Sequence, residues 1–364
     1  MIEDARRVID EAIRGRVFPA ATVEVGTSAG AAWRHAAGTL TFDAGAAPAD
    51  LSTPFDLASL TKVIATTTIV MDLLAAGRLH LDECIADSVA EWRGDDRASV
   101  TVRDVLEHAA GLPARLADAS PESRGEVERE ICATPLEYAP RTRAIYSDLG
   151  FILLGFLVAD RGAASLAEQF DAVTAWLPVA GPQDTQASHE LAQCSRDLAF
   201  ALPPDARRRA APTWPMDEDA RRGRMLTGDV HDNYAAALGG AAGHAGLFGT
   251  APAVGAFGCA ALRAARGDAS GGLSPALVTA FIRKTTVPGS SRALGWDTML
   301  PTSSCGTRMT ASAFGHVGFT GTSLWIDPER DRYFVLLTNR VCGAGTLDDI
   351  RDVRRAFHDA LHEL

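Results

Sequence analysis

The sequence predicts an α+β fold in which strands from both ends of the chain build one sheet and a mainly helical segment is inserted between them. Three observations carry this. Strand-like runs with a turn between them occur at Ala21–Thr27 and Ala31–Ala36, further strand-like runs return only near the C-terminal end, and helical patterns fill most of the interval. The chain accordingly divides into a sheet unit of residues 1–58 and 240–364 and a helical unit of residues 59–239.

Taken in order, residues 3–16 carry Ile9 and Ile13 at helical spacing and predict an amphipathic helix. Ser28-Ala29-Gly30 has turn composition, so the strands that flank it form a hairpin. Helices follow at Ser59–Ala76, Val102–His108, Ser123–Cys132, Ile145–Asp160 and Ser165–Trp176, separated by Gly and Pro stops. Residues 178–228 are rich in Pro, Asp and Arg and yield no assignment. Helix returns at Asp229–Leu238 and Pro252–Arg266, strands at Leu294–Thr298, Ser323–Asp327 and Tyr333–Thr338, and a helix at Leu347–Leu361 closes the chain. No internal repeat or low-complexity tract is present.

With 364 residues, 47% of them apolar, the chain can bury a sizeable core. Its formal net charge of -11 repels a phosphate backbone and argues against a nucleic-acid partner. The local basic runs Arg207-Arg208-Arg209 and Arg221-Arg222 read as solvated surface. Cys84, Cys132, Cys194, Cys259, Cys305 and Cys342 show no C-x-x-C spacing and read as free thiols of a reducing compartment. The N-terminal residues lack the pattern of a secretory signal, and no segment supplies the ~18 uninterrupted apolar residues of a membrane span. The expectation is a soluble cytoplasmic protein with no membrane partner, although a chain whose leader had been removed would read the same way.

The chemistry concentrates at Ser59-Leu60-Thr61-Lys62. If a helix starts there, the serine hydroxyl and the lysine amine share one face three residues apart. The first-turn N–H groups of that helix have no internal partner, so the Ser59 amide can serve an oxyanion. Ser-x-x-Lys is frequent by chance and Ser is a common N-cap, so the tetrad needs partners. Tyr146-Ser147-Asp148 opens an apolar run, and His316-Val317-Gly318 precedes a strand-like stretch. Ser-x-x-Lys, a Tyr or Ser triplet and a basic-x-Gly triplet, in that order, form the pattern of serine β-lactamases and penicillin-binding proteins.

On these residues the chain resembles the class C β-lactamase-like family of serine hydrolases and carboxylesterases, over roughly residues 15–345. The resemblance extends through Phe55-Asp56-Leu57-Ala58 before Ser59, Leu106–Pro113, Tyr146–Phe151, Gly240–Phe248 and Gly315–Gly321. It implies a β-lactamase/transpeptidase-like layout: an antiparallel sheet flanked by terminal helices, an inserted all-α domain, and an active site in the groove between them. Ser59 would be the nucleophile of an acyl-enzyme, with the Lys62–Tyr146 pair as its base system. Desolvation and a shared hydrogen-bond network would lower the Lys62 pKa. The Ser59 and Phe319 amides would form the oxyanion hole, and Gly318 would let its strand approach the substrate.

Two positions depart from the family pattern. Asp148 stands where Asn is usual; an ionised Asp only accepts hydrogen bonds, so it would contact substrate differently or steady Lys62. His316 stands where Lys is common, and a mostly neutral imidazole weakens carboxylate anchoring. Arg340, after the last strand, is a candidate replacement anchor. These substitutions favour a small neutral ester or amide over an anionic β-lactam.

Three competing signals are present. Gly26-Thr27-Ser28-Ala29-Gly30 matches the G-x-S-x-G elbow, but a strand follows it where a helix is required, so Ser28 reads as a hairpin residue. No histidine lies in an H-E-x-x-H or comparable spacing, so neither metal nor cofactor is expected. His244, in Gly243-His244-Ala245-Gly246, reads as part of a structural loop. The functional expectation is a serine hydrolase. An acyltransferase of the same fold and a non-catalytic penicillin-recognising sensor are the alternatives.

Overall fold

The computed structural model describes residues 1–116, 123–175 and 197–362. Its centre is a six-stranded antiparallel sheet in the order β2-β1-β9-β8-β7-β6. The strands are β1 (Ala20–Thr27), β2 (Gly30–Gly38), β6 (Asp297–Thr298), β7 (Phe314–Val317), β8 (Ser323–Asp327) and β9 (Arg332–Thr338). All come from the two ends of the chain, and β1 closes the sheet by pairing with both β2 and β9. Alternation along β1 explains its double burial. Ala21, Val23 and Val25 join Ile9, Phe18, Trp325 and Phe357 in one core layer, whereas Glu24 bonds Tyr333 and Arg34.

The terminal helices α1 (Ile2–Arg14) and α11 (Leu347–Ala360) pack against each other on that layer. On the sheet's other face lies α9 (Ala251–Ala265). The inserted segment supplies α2 (Thr67–Ala75), α3 (Val102–Leu106), α4 (Arg124–Ala133), α5 (Asp148–Gly162) and α6 (Leu166–Thr174), followed by short helices α7 (Pro204–Arg209) and α8 (Asn233–Ala237). Among the described residues no single helix is long and apolar enough to cross a membrane; the apolar α5 is buried in the core.

Several boundaries differ from expectation. Tyr146 precedes its helix: Ser147 is the N-cap of α5, accepting from the Gly150 N–H. The Asp229–Leu238 helix contracts to α8, capped by Asp232, and Leu294–Thr298 contracts to β6. His316 lies within β7, a strand missed because Gly315 interrupts the apolar pattern; a Cβ there would meet the Trp325 ring. In the unassigned stretch, Leu198–Ala199 (β4) pairs with Phe248–Gly249 (β5), which also pairs with Phe55–Asp56 (β3). A helix at Pro275–Phe281 (α10) was not foreseen. Trp176, at the end of the expected Ser165–Trp176 helix, and residues 178–196 with Cys194 lie outside the described residues. The other five cysteines are free thiols.

Candidate active site

The small β3-β5-β4 sheet carries the chain directly into the Ser59 turn. Asp56 secures that turn by accepting from the Ala58 N–H at 2.8 Å and the His231 N–H at 2.6 Å. Ala58 adopts φ of 47°, a left-handed conformation that a non-glycine residue holds only when its surroundings enforce it. Ser59 then precedes a helix whose first part is a π turn over Lys62–Thr66, continuing as α2. π turns cluster at functional sites, and this one contains the fully buried Lys62.

Three groups foreseen from the sequence converge here. Lys62 Nζ donates to Ser59 Oγ at 3.0 Å, and the Tyr146 hydroxyl lies 2.6 Å from the same oxygen. Lys62 Nζ also bonds an Asp148 carboxylate oxygen at 2.8 Å and the His244 carbonyl at 3.1 Å. Asp148 and Tyr146 are held by the extended approach to α5: Ser147 donates through its N–H to His108 Nδ1 and through its hydroxyl to the Pro113 carbonyl. The Tyr146 ring packs against the rings of His108 and His316, with the Arg292 guanidinium carbon 5.1 Å from its centroid.

The expected lowering of the Lys62 pKa is reversed. Burial disfavours its charge, but the adjacent Asp148 carboxylate and Tyr146 oxygen outweigh that and hold the ammonium above its usual range. Burial alone would raise Asp148; Lys62 and then His244 pull it below the ordinary carboxylate range. Burial likewise raises Tyr146 against the opposing pull of Lys62. The resting site therefore holds an ammonium, a carboxylate and a neutral phenol. Asp148 is thus a partner of Lys62, and its second oxygen accepts from Arg115 at 3.2 Å.

On the sheet side, Gly318 brings β7's end against the Ser59 turn. A Cβ at Gly318 would stand 2.1 Å from Thr322 Oγ1 and 2.5 Å from the Leu57 carbonyl. The Thr320 and Thr322 hydroxyls donate to the Asp56 and Leu57 carbonyls at 2.7 and 3.0 Å, stitching the two segments together. Neither the Ser59 nor the Phe319 N–H has a hydrogen-bond acceptor among the described residues. Two unsatisfied amides on adjoining segments are donors of the kind an oxyanion requires.

His316 is buried, with Nδ1 2.8 Å from the Val317 carbonyl. Desolvation, then the charges of Arg292 and Lys62, pull its pKa well below the usual imidazole range, so it is neutral. Arg340 is not a free carboxylate anchor, contrary to the sequence reading. Its Nε and Nη2 donate to the Phe319 carbonyl at 3.1 and 2.7 Å and its Nη1 to the Gly345 carbonyl at 2.9 Å, so it braces the Phe319 turn. Ser28 sits at the hairpin turn, bonded to Asp331.

Arg115, Asp232 and His244 were not singled out as site residues. Arg115 bridges Asp148 and Asp232, and His244 Nε2 lies 2.8 Å from Asp232. Candidate ligand atoms of Asp148, Asp232 and His244 fall within 4.8 Å of one another. Lys62 and Arg115 already neutralise both carboxylates, so a cation would have to displace an existing ion pair.

An antiparallel sheet flanked by terminal helices, with a serine, a lysine and a tyrosine meeting beside it, is the architecture of the β-lactamase and penicillin-binding proteins. The chain belongs to the Beta-lactamase family, whose profile matches residues 5–357. It is 28% identical over 326 residues to a protein of Escherichia coli O157:H7 named a putative D-alanyl-D-alanine carboxypeptidase, covering 80% of this chain and 70% of that one. In structure it is similar to EstCE1, described as a hydrolase with promiscuous acyltransferase activity, with a TM-score of 0.75 at 18% identity over 99% and 98% of the two chains. A penicillin-binding protein homologue from Caulobacter crescentus gives 0.74 at 19% identity over 100% and 97%. At such identities these two likenesses are of fold.

Proposed function

We propose that this chain is a serine hydrolase that cleaves a small ester or amide through an acyl-enzyme on Ser59. The observation that carries the reading is the sharing of one serine oxygen by Lys62 Nζ and the Tyr146 hydroxyl, at 3.0 and 2.6 Å. Ser59 Oγ bonds to the substrate carbonyl carbon while its proton passes to the Lys62–Tyr146 pair. The oxyanion is met by the Ser59 and Phe319 N–H groups. Its collapse expels an alcohol or amine, which takes that proton. Water then attacks the acyl-enzyme, releases the acid and restores the serine hydroxyl. Because Lys62 and Tyr146 both hold protons at rest, the attacking form is the one from which one of these protons has left.

The neutral His316 and the committed Arg340 support uncharged acyl groups as substrates. Acyl transfer to an alcohol or amine uses the same intermediate, and the likeness to EstCE1 supports it as a second outcome. The test is incubation with a fluorophosphonate followed by intact-mass and peptide mapping, beside turnover of p-nitrophenyl esters with and without an added alcohol. Labelling at Ser59 and loss of turnover in Ser59→Ala are expected. Full turnover by Ser59→Ala, or a stable adduct in a protein that turns over no ester, refutes the hydrolase.

A further inference from the structure

The carbonyl of the peptide between Gly318 and Phe319 accepts from the Gly321 N–H across its turn at 3.1 Å and, more closely, from an arginine of the last helix of the chain. Arg354, on α11, is only 5% exposed. Its Nη2 donates to the Gly318 carbonyl at 2.7 Å and to the Thr322 carbonyl at 2.8 Å. Among the described residues no carboxylate pairs with it; the charged neighbour that acts on it is another cation, Arg340, and its Nε lacks a partner. A buried charge without a counter-ion is unfavourable by several kcal/mol, and an apolar side chain of similar volume would ordinarily suit such a position better. Burial, then Arg340, pull the Arg354 pKa down to about 9, which leaves it charged at neutral pH.

The geometry gives that charge a use. In a trans peptide the C=O and N–H point in opposite directions, so a bond to the Gly318 oxygen fixes where the Phe319 N–H points. Withdrawing electron density at the oxygen also strengthens the same amide as a donor. Arg340 grips the next peptide through the Phe319 carbonyl, so both amide planes around Phe319 are fixed from behind. Resting on the reading of Ser59 as nucleophile and the Phe319 N–H as oxyanion donor, we propose that Arg354 is a positioning residue of the oxyanion hole. It holds the Gly318–Phe319 peptide with its N–H toward the acyl oxygen and sets a fixed positive charge behind it. Such a charge acts on the anion that develops in the transition state and hardly on the neutral ester, so its loss falls on kcat rather than KM.

The test compares Arg354→Met, Arg354→Gln and Arg354→Lys with the wild type in p-nitrophenyl butyrate turnover and in affinity for phenylboronic acid, whose tetrahedral serine adduct places an oxygen where the oxyanion sits. Arg354→Met is expected to lower kcat roughly 10- to 100-fold with KM within about threefold, and boronate affinity should fall in parallel. Arg354→Lys should retain more kcat than Arg354→Gln, because it keeps the charge; these two carry the test if the methionine variant does not fold. Unchanged kcat in the folded Met or Gln variant, a fall in kcat without a fall in boronate affinity, or a lysine variant no better than the glutamine one overturns the proposal. Failure of the wild type to acylate at Ser59 would instead remove the reading beneath it.

Discussion

Replacing Gly318 by alanine probes the seam between the two segments whose amides are the proposed oxyanion donors. The added Cβ would lie 2.5 Å from the Leu57 carbonyl, 3.3 Å from the Ala58 Cβ and 2.1 Å from Thr322 Oγ1. The threonine side chain can rotate, at the loss of its bond to Leu57; the Leu57 carbonyl is backbone and cannot. To restore even a 3.0 Å contact the segments must part by at least 0.5 Å. Leu57 is two residues from Ser59 and Gly318 adjoins Phe319, so the parting is passed directly to the two N–H groups. Removing one oxyanion donor elsewhere lowers kcat about 10²- to 10³-fold, about 2.7–4 kcal/mol, and a displaced donor should fall near the lower bound. Overpacking of this kind destabilises by about 1–3 kcal/mol, a melting shift of a few degrees in a chain this long. Pre-steady-state release of p-nitrophenol, normalised to the fraction of enzyme titrated by fluorophosphonate, separates the loss of rate from any loss of folded protein. A kcat within about fivefold of wild type at equal titrated enzyme refutes the argument that this contact sets the oxyanion hole.

Asp148→Asn removes the carboxylate that raises both Lys62 and Tyr146, so the proton that must leave before attack is lost at lower pH. The ascending limb of kcat/KM against pH should move down, and an upward or null shift would contradict the charge assignment. The same substitution tests linkage: a depressed Asp148 contributes stability above its unfolded pKa that is lost as pH falls through the folded value, so the variant should lose part of the wild type's acid sensitivity in denaturant titrations. Arg340→Ala leaves the Phe319 and Gly345 carbonyls without their donor and should lower kcat by about tenfold alike for neutral and anionic esters. A loss confined to anionic esters would restore the anchor role.

The groups that converge at the candidate site were legible because local motifs announce them. Ser59 and Lys62 are three residues apart, and Tyr146 and His316 each sit in a short triplet of recognisable order. What supports them was hidden by chain separation. Thr320 and Thr322 meet Asp56 and Leu57 across more than 260 residues, and Arg115 meets Asp232 across 117. Arg354 did leave a signal. It follows Ile350 by four residues and precedes Phe357 by three, both fully buried, which puts a charge on the apolar stripe of an amphipathic helix where only a partnered or functional arginine belongs. Arg340 shows the opposite limit: its place beside the site was readable, but nothing in the order of residues reveals that three of its N–H groups bond main-chain carbonyls. The short sheet holding the Ser59 turn escaped for a related reason, since strands of two residues, such as β3 and β5, carry no periodicity to detect.

Asp148 links the fold to the chemistry more closely than its neighbours. On the helical side of Ser59, Lys62 and Arg115 are balanced by Asp148 and Asp232. On the sheet side, Arg340 and Arg354 bond only main-chain carbonyls. On the proposed reading, negative charge arising on an acyl oxygen near the Phe319 amide would face two arginines that pair with no carboxylate, the nearby Asp56 carboxylate being bonded to the Ala58 and His231 N–H groups, while the departing proton would enter a neutral, hydrogen-bonded set. With an asparagine at position 148 the helical side would carry one more positive charge, and the contrast across the serine would shrink. The carboxylate thus makes the proton harder to remove at rest and, by cancelling the lysine, would confine the field that favours an anion to the side of the proposed oxyanion donors.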